Sequence, residues 1–268
     1  MSEFRVEQQN TRQQRQTKIR KNLVKVAIGA LLPALILAIW QLLSTNGTFS
    51  ASQLPPPIEV LQAAGGLIER GTLWQHVAIS VQRVFSGFAI GSILGIALGS
   101  AVGLSKTVGQ LLLPTIGAIR AVPSLAWVPL LLIWMGIYEE PKITLVAIGA
   151  FFPVFTTVAA GLAAVDRNLI EVGRTYGLKG VKLITKVLLP AAAPVIFSGL
   201  RLGLAQAWLF LVAAELIASS MGLGFLLLDS QNTARTDILF MAIILLALLG
   251  KLSDVVIATI EKRALRWI

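Results

Sequence analysis

Runs of about 20 apolar residues recur along this chain and restrict its fold more than any other feature. A helix rises 1.5 Å per residue, so about 20 residues cross the ~30 Å hydrocarbon core of a bilayer. Only 13% of the 268 residues are charged, while 56% are hydrophobic, and soluble domains carry about 25% charged residues. The sequence therefore predicts an all-α membrane protein with several spanning helices.

Six spans can be placed from these runs. We expect them at about 24–43, 84–104, 111–137, 142–164, 192–217 and 237–259. They form a single transmembrane domain over 23–268, after a polar tail over 1–22 that is too poor in apolar residues to pack a core. The third run contains Pro114, Pro123 and Pro129, which predict a broken helix.

With six spans, two connecting segments and the only histidine lie on the side of the membrane opposite to the termini, which we call the outer side. A short amphipathic pattern after Pro55, Pro56 and Pro57 predicts an interfacial helix. The glycine-rich segment 219–236 predicts a loop, and we expect His76 to be an interfacial side chain at the end of the second span. A single histidine leaves no histidine pair for a metal site.

Basic residues are distributed unequally between the two sides of the membrane. Six spans place both termini, the turn at Lys106 and the loop 165–190 on one side, with 16 of the 23 Lys and Arg residues, against 4 on the other side. Cytoplasmic loops carry such an excess. We therefore expect both termini and this loop in the cytoplasm, and we attribute the net charge of +10 to orientation and not to nucleic-acid binding.

A regular row of glycines marks the second span. Five of them follow one another at intervals of four residues: Gly87, Gly91, Gly95, Gly99 and Gly103. Residues four apart share one face of a helix, and a face of small residues lets a neighbouring membrane helix approach closely. The row predicts a tightly packed central helix and does not identify a ligand.

The longest polar interruption between spans, Glu171–Pro190, is basic and still amphipathic. It resembles the cytoplasmic signature of the membrane subunits, or permeases, of binding-protein-dependent ABC importers. That signature reads Glu-Ala-Ala, three residues, Gly, nine residues, then Ile-x-Leu-Pro. Four positions match it: Glu171, Gly177, Leu189 and Pro190. Three positions depart conservatively: Val172 and Gly173 replace the alanines, and Val187 replaces the isoleucine.

Four further stretches are similar to permeases for sulfonates, taurine and nitrate. They are LPPP at 54–57, RAVPSLAWVPLLLIWMGI at 120–137, VAAELIA at 212–218 and ALLGKLSDV at 247–255. The last stretch is closest to the aliphatic-sulfonate type. The resemblance extends from the first span to the C-terminal tail.

The resemblance implies a type I importer in the bacterial plasma (inner) membrane. Two permease copies, expected as a homodimer, would sit on two cytoplasmic ATPase subunits that hold ATP and Mg²⁺, and an extracytoplasmic binding protein would deliver the substrate. A short helix at about 168–178, ended by Gly177, would dock into each ATPase. The implied coupling residues are Glu171, Val172, Gly173, Thr175, Tyr176, Gly177, Leu178, Leu189 and Pro190.

No nucleotide site is visible in the chain itself. The nearest candidate, GSAVGLSKT at 99–107, lacks the adjacent Gly-Lys that a phosphate-binding loop requires. We therefore expect no enzymatic activity and no cofactor in this chain, and ATP hydrolysis in a partner. Glu139 and Glu140 lie in a short loop, where solvation is their expected role.

Ionisable and aromatic residues inside spans are candidates for the translocation pathway, because charges at membrane depth are costly. The candidates are Arg120, Pro123, Trp127, Trp208 and Glu215. Structural alternatives stay open for each: Arg120 satisfying carbonyls freed by the prolines, Glu215 pairing with a basic residue or stabilising the dimer, and the tryptophans, Trp134 included, packing or anchoring. Lys251 and Asp254, three apart on one helix, are expected to pair, and Arg201 to extend toward the cytoplasmic surface.

The sequence thus favours a permease subunit for a small anion, with an aliphatic sulfonate as the first choice. Nitrate, bicarbonate, taurine and other small solutes remain as alternatives. A secondary transporter or channel is the alternative from another class, although no internal repeat of the kind common in such transporters is visible. The binding protein is expected on the outer loops around 54–70, 138–141 and 219–237.

Overall fold

The computed structural model describes residues 28–50 and 52–266, and every regular element in them is helical. The predicted tail 1–22 and the first residues of the first predicted span lie outside the described residues. The chain divides into two units, Met1–Gln62 and Ala63–Ile268. The all-helical fold agrees with the prediction.

The first unit holds helix α1 (Ile28–Thr45) and the turn that follows it. The indole Nε1 of Trp40 donates to the carbonyl of Pro55 at 2.9 Å, which ties the end of α1 to the proline segment. Helix α2 (Pro57–Glu69) starts on a proline, a residue suited to a first turn because its missing N–H would have no partner there. The short helix predicted after the prolines is therefore present.

Helix α2 crosses the boundary between the units after Gln62, and the remaining helices belong to the second unit. They are α3 (Thr72–Leu104), α4 (Lys106–Ala121), α5 (Trp127–Met135), α6 (Glu140–Ala163), α7 (Arg167–Thr175), α8 (Gly180–Leu183), α9 (Leu189–Ala218), α10 (Leu223–Asn232) and α11 (Thr236–Ala264). A 3-10 turn (Ser124–Ala126) precedes α5, and a π-helical turn (Ile184–Leu188) joins α8 to α9.

Five helices in the described residues are long and apolar enough to cross a membrane: α1, α3, α6, the helix that includes α9, and α11. A sixth span results if α4 and the segment Ser124–Met135 are counted together, although they meet at an angle of 78°. The bend lies at Pro123. Pro114 remains inside α4, and Pro129 lies in the first turns of α5, so only Pro123 marks the predicted break.

The glycine row of α3 lies directly against α6. A Cβ atom built on Gly87 would meet Val146, and one on Gly95 would meet Val154. The contacts advance by four residues on both helices, so α3 and α6 run parallel. The whole row follows this pattern, opposite Val146, Ala150, Val154, Val158 and Leu162.

Helix α9 packs on a second side of α6 in the opposite direction. A Cβ on Gly149 would meet Phe210, near the end of α9, whereas one on Gly161 would meet Val195, near its start. The three helices α3, α6 and α9 form the centre of the second unit, and its buried apolar clusters draw on them.

Chain direction gives the bundle two distinct ends. At the α10 end, α3, α6 and α11 begin and α9 finishes; at the α7 end, α3 and α6 finish and α9 begins. Helix α3 begins at Thr72, well before the expected span of 84–104, because its polar first turns pack inside the bundle. The prediction of a loop over 219–236 is wrong for most of the segment, since helix α10 occupies Leu223–Asn232.

Candidate functional site

Helix α7 is capped at both ends, by a side chain at its start and by backbone hydrogen bonds at its end. The Asp166 carboxylate accepts a hydrogen bond from the backbone N–H of Asn168 at 2.9 Å, which satisfies a free donor of the first turn. At the other end, Gly177 N–H donates to the Arg174 carbonyl and Leu178 N–H to the Gly173 carbonyl. This pair of bonds is a Schellman motif, which needs a left-handed residue after the helix. Gly177 has φ +78°, as expected for the residue that ends the helix.

The inner face of α7 packs against the chain that leads into α9. Gly173 is buried, and a Cβ on it would lie 2.8 Å from Leu183 and 3.1 Å from Val187. Ile170 packs on the cluster that contains Val158 and Leu162 of α6. Direct contacts therefore join α7 to the chain before α9 and to α6.

The outer face of α7 is apolar and exposed. Leu169, Val172 and Tyr176 are spaced by three and four residues, so they form one row along the helix. The polar positions Glu171 and Thr175 are exposed beside this row, and Leu189 and Pro190 form the first turn of α9. An exposed apolar row on a short, capped helix has the form of helices that bind in a groove of a partner.

At the α10 end, Arg83 is the centre of a buried ionic cluster. Its Nε and Nη2 donate to the two carboxylate oxygens of Glu139 at 2.6 and 2.7 Å, and its Nη1 donates to Glu215 at 2.8 Å. Lys142 adds a further bond to Glu139 at 3.1 Å. Arg83 is 3% exposed and Glu215 0% exposed. The expectation that Glu215 pairs with a basic residue is met by Arg83.

Glu139 was expected to be solvated, and this is only half correct. Its side chain remains 53% exposed, but the bidentate hydrogen bond from Arg83 lowers its pKa from 4.5 to about 2. Opposite charge and hydrogen bonds to the charged form both favour the ionised carboxylate. Glu139 therefore carries its negative charge into the cluster at any physiological pH.

The connection from α9 to α10 wraps around Glu215. Gly224 N–H donates to the carboxylate at 2.7 Å, and Ser80 Oγ donates to it at 2.9 Å. Gly222 has φ +122°, and a Cβ there would lie 2.3 Å from the same carboxylate. Arg83 Nη1 also donates to the Met221 carbonyl at 2.7 Å. These bonds fix the connection in place.

His76, Ser80 and Arg83 follow one face of α3. His76 is buried and accepts a hydrogen bond from Gly222 N–H at 3.0 Å through its Nδ1. Leu223 N–H donates to Ser80 Oγ at 2.8 Å. The expected interfacial position of His76 is wrong, because its ring supports the α9–α10 connection inside the protein.

The broken third span holds three of the pathway candidates. Arg120 is exposed in the last turn of α4, and no residue that the structure describes forms an ion pair with it. Pro123 lies at the bend, and Trp127 begins α5. Trp127 also borders a cavity of about 410 Å³, whose other lining residues include Ile90, Leu94, Ile119, Phe151 and Phe152. This lining is apolar and offers no charge to an anion.

The other two pathway candidates are enclosed. Trp208 is buried in a core cluster, and its indole N–H donates to Ser253 Oγ at 2.9 Å. Glu215 lies within the ionic cluster. For both residues these contacts match the structural alternatives, packing for Trp208 and ion pairing for Glu215.

Arg201 and Lys251 meet at one carboxylate between α9 and α11. Arg201 Nε and Nη2 donate to the two oxygens of Asp254 at 2.8 and 3.1 Å. The Lys251 ammonium lies 3.6 Å from the same carboxylate, so the expected Lys251–Asp254 pair is present. Arg201 was expected to extend toward the surface and instead binds Asp254.

A comparison with known families adds to this geometry. The sequence profile of the family described as "Binding-protein-dependent transport system inner membrane component" matches residues 87–266, two thirds of the chain. The chain belongs to this family. The match begins at Gly87 inside α3 and includes the broken span, α6, the α7 loop, α9 and α11, whereas His76, Ser80 and Arg83 lie before it.

Relatives of this permease share its sequence over nearly the whole length. The aliphatic sulfonates transport permease protein SsuC of Escherichia coli (strain K12) is 44% identical over 251 residues, which cover 94% of this chain and 95% of the relative. The protein of the same name from Bacillus subtilis (strain 168) is 42% identical over 239 residues, covering 89% and 87%.

A solved structure shows the same fold. The inward-facing MetNI methionine ABC transporter contains a chain that aligns with a TM-score of 0.57 and 20% identity, over 72% of this permease and 94% of that chain. At this identity the match concerns the fold alone. The permease thus has the helical architecture predicted from its sequence.

Sequence reasoning missed the ionic cluster of this permease. Arg83, Glu139 and Lys142 were counted as charges of the outer side or of a solvated loop. A signal was present: positions 76, 80 and 83 extend the same face as Gly87 toward the start of α3. Polar residues that prolong a tightly packed face must be buried with partners.

Proposed function

We propose that this chain is the membrane subunit of an ATP-driven importer that carries a small anion, an aliphatic sulfonate in the first instance. Two copies would assemble with two ATPase subunits, which hold ATP and Mg²⁺, and with an extracytoplasmic binding protein. The complex lies in the plasma (inner) membrane with both permease termini in the cytoplasm, the side indicated by the excess of basic residues.

The exposed apolar row on α7 carries this proposal. Leu169, Val172 and Tyr176 have no partner among the described residues that covers them, and the two caps hold α7 in a fixed shape. The family signature begins on this helix at Glu171 and ends at Pro190 in the first turn of α9. A groove on an ATPase subunit would bury the row, as amphipathic helices are buried in other complexes.

The contacts of the inner face of α7 support a route by which closure of the ATPase subunits would move the membrane helices. Closure of the ATPase pair on ATP would shift α7, and Gly173 and Ile170 would pass the shift to the start of α9 and to α6. The rigid α3–α6–α9 group then rocks as a body, which is one of the ways in which packed elements switch. Alternating access for the substrate would follow from this movement.

Support for the substrate comes from the SsuC relatives, which are named for aliphatic sulfonates. The test is uptake into proteoliposomes that contain the permease, its cognate ATPase and its binding protein, with labelled ethanesulfonate as the probe. We expect uptake that requires ATP and that unlabelled sulfonate suppresses. If nitrate, bicarbonate or taurine suppresses the uptake more strongly than unlabelled ethanesulfonate does, that solute is the substrate instead. Ion-driven uptake by the permease alone would instead indicate a secondary transporter.

A further inference from the structure

Lys251 exposes a charge at a depth where membrane helices normally meet hydrocarbon. Its side chain is 72% exposed. At 1.5 Å per residue it lies about 20 Å from either end of α11, near the middle of a ~30 Å hydrocarbon core. An ammonium facing lipid at this depth is strongly unfavourable, so such residues face a watery cavity or a protein partner.

Helix α9 presents polar groups at comparable depth. Arg201 is 41% exposed and lies about 18 Å from the start of α9. Gln206 is also exposed, about 18 Å from the end of the same helix. Two charged side chains and an amide thus occupy exposed parts of two spans that an apolar environment would not tolerate.

Arg201 and Lys251 contact Asp254 at different distances. Asp254 accepts two short bonds from Arg201, while Lys251 stays 3.6 Å away and Glu261 lies 3.6 Å from the far side of the Arg201 guanidinium. Arg201 thus meets two carboxylates, Asp254 and Glu261, whereas Lys251 meets only Asp254 among the described residues, and its ammonium is held more loosely than the guanidinium. The Asp254 carboxylate therefore lies between the two cations.

We propose that Arg201, Gln206, Lys251 and Asp254 line the translocation pathway. Arg201 and Lys251 bind the anionic group of the substrate during its passage, and Asp254 and Glu261 neutralise them when no substrate is present. Oxygens of a sulfonate accept charge-assisted hydrogen bonds from guanidinium and ammonium groups. This inference rests on the proposed function, since it assigns residues to the passage of the proposed small anion.

Solvent access to the α9–α11 face, the surface that carries Arg201 and Lys251, can be measured directly. The chain contains no cysteine, so Lys251→Cys gives the permease a single reactive thiol, and its labelling is read on the permease chain of the importer assembled with its ATPase subunits in proteoliposomes. We expect rapid reaction with a charged, water-soluble methanethiosulfonate. Leu252→Cys is the matched control: Leu252 is 61% exposed at the same depth, and its thiol should react at least about tenfold more slowly in lipid, where the thiolate is disfavoured. An unreactive Lys251→Cys thiol would overturn the proposal and show that lipid or another subunit covers this face.

Uptake tests the binding role. In the assembled importer, Lys251→Gln should lower ATP-driven ethanesulfonate uptake at least about tenfold through the loss of a charge-assisted bond. Lys251→Arg should restore uptake, which a merely structural role would not require. Lys262→Gln removes the same charge from the last turn of α11 and should have no effect. Normal uptake by Lys251→Gln overturns the inference.

The two experiments separate the inference from the proposed function. If the unsubstituted importer takes up no ethanesulfonate, the proposed substrate is wrong, whereas thiol labelling still reports whether the α9–α11 face is lined by water. If the importer is active and Lys251→Cys is unreactive, the pathway assignment fails and the proposed function stands.

Discussion

Arg83 and Glu215 form an ion pair of 2.8 Å between α3 and α9, and both side chains are closed to solvent. The pair is joined by Glu139 from the start of α6, so one guanidinium links all three central helices. It lies one helical turn before Gly87, where the close packing of α3 on α6 begins. The central helices are thus held together at the α10 end, while α7 contacts them at the opposite end.

Removing both partners of this pair should cost less unfolding free energy than the two single removals added together. Arg83→Met leaves the Glu215 carboxylate buried without a counter-charge and should cost about 3–5 kcal/mol of unfolding free energy, as should Glu215→Met. The double variant should cost clearly less than the sum. Unfolding of the purified permease in mixed micelles measures all three.

The control for this cycle is the more exposed pair Arg235–Asp237 at the same end, whose side chains are 48% and 23% exposed. Arg235→Met should change the unfolding free energy by no more than about 1 kcal/mol. Additive costs for Arg83 and Glu215 would show that the two residues do not act as a pair.

Acid should remove the contribution of Glu139. Its pKa is lowered from 4.5 to about 2 in the folded chain, chiefly by the hydrogen bond from Arg83. A lowered folded-state pKa means that the carboxylate stabilises the fold fully above pH about 4.5 and loses this effect as the pH falls toward about 2. The difference in Tm between the unsubstituted chain and Glu139→Gln should shrink over that range. A difference that stays constant down to pH 2 would contradict the pairing.

Gly91→Ala should separate α3 from α6. A Cβ at this position would lie 2.3 Å from the backbone carbonyl oxygen of Ala147, which cannot move aside alone, and overpacking of this kind costs about 1–3 kcal/mol. Gly117→Ala is the matched control within α4, because nothing lies within 4 Å of its Cβ. There the change should be neutral or stabilising by up to ~1 kcal/mol. Equal Tm values for the two variants would refute the close approach.

Two glycines of the α7 loop should respond differently to alanine. Gly177→Ala forces a Cβ into a left-handed conformation and should cost about 1–2 kcal/mol. Gly173→Ala places a Cβ near the mobile end of Leu183, which can shift, and should be tolerated, as the alanine of the family signature suggests. Tm and the yield of co-purified ATPase measure both. Equal losses for the two variants would contradict the cap.

Much of the fold is predictable because apolar runs and helix breakers are local signals. The six runs, the bend at Pro123 and the helix end at Gly177 all follow from residue type and spacing. The glycine row predicts a packed face but not its partner, since spacing within α3 carries no information about α6.

The ionic cluster was not predictable in the same way. Arg83 and Glu215 are 132 residues apart in the sequence, and a polar stretch at a helix start looks identical whether water or protein surrounds it. The α9–α10 connection is a similar case. Its glycines predicted a loop, whereas the structure shows that Gly222 and Gly224 leave room for Glu215, which lies against both of them.

Docking of α7 into an ATPase subunit is the central claim, and Val172 tests it most directly. Val172→Asp places a carboxylate within the exposed apolar row, and burying an unpaired charge in an interface costs about 2–5 kcal/mol. Asn168→Asp is the control, since it adds the same charge to the same helix beside the row, near the N-terminus, where an acid is favourable.

The measurement is binding-protein-stimulated ATP hydrolysis by the reconstituted complex, together with the amount of ATPase that co-purifies. We expect Val172→Asp to lower both at least about tenfold, as a loss of about 1.4 kcal/mol or more requires, and Asn168→Asp to leave both near the unsubstituted values. Full assembly and full stimulated hydrolysis by Val172→Asp would contradict the claim that α7 couples this permease to ATP.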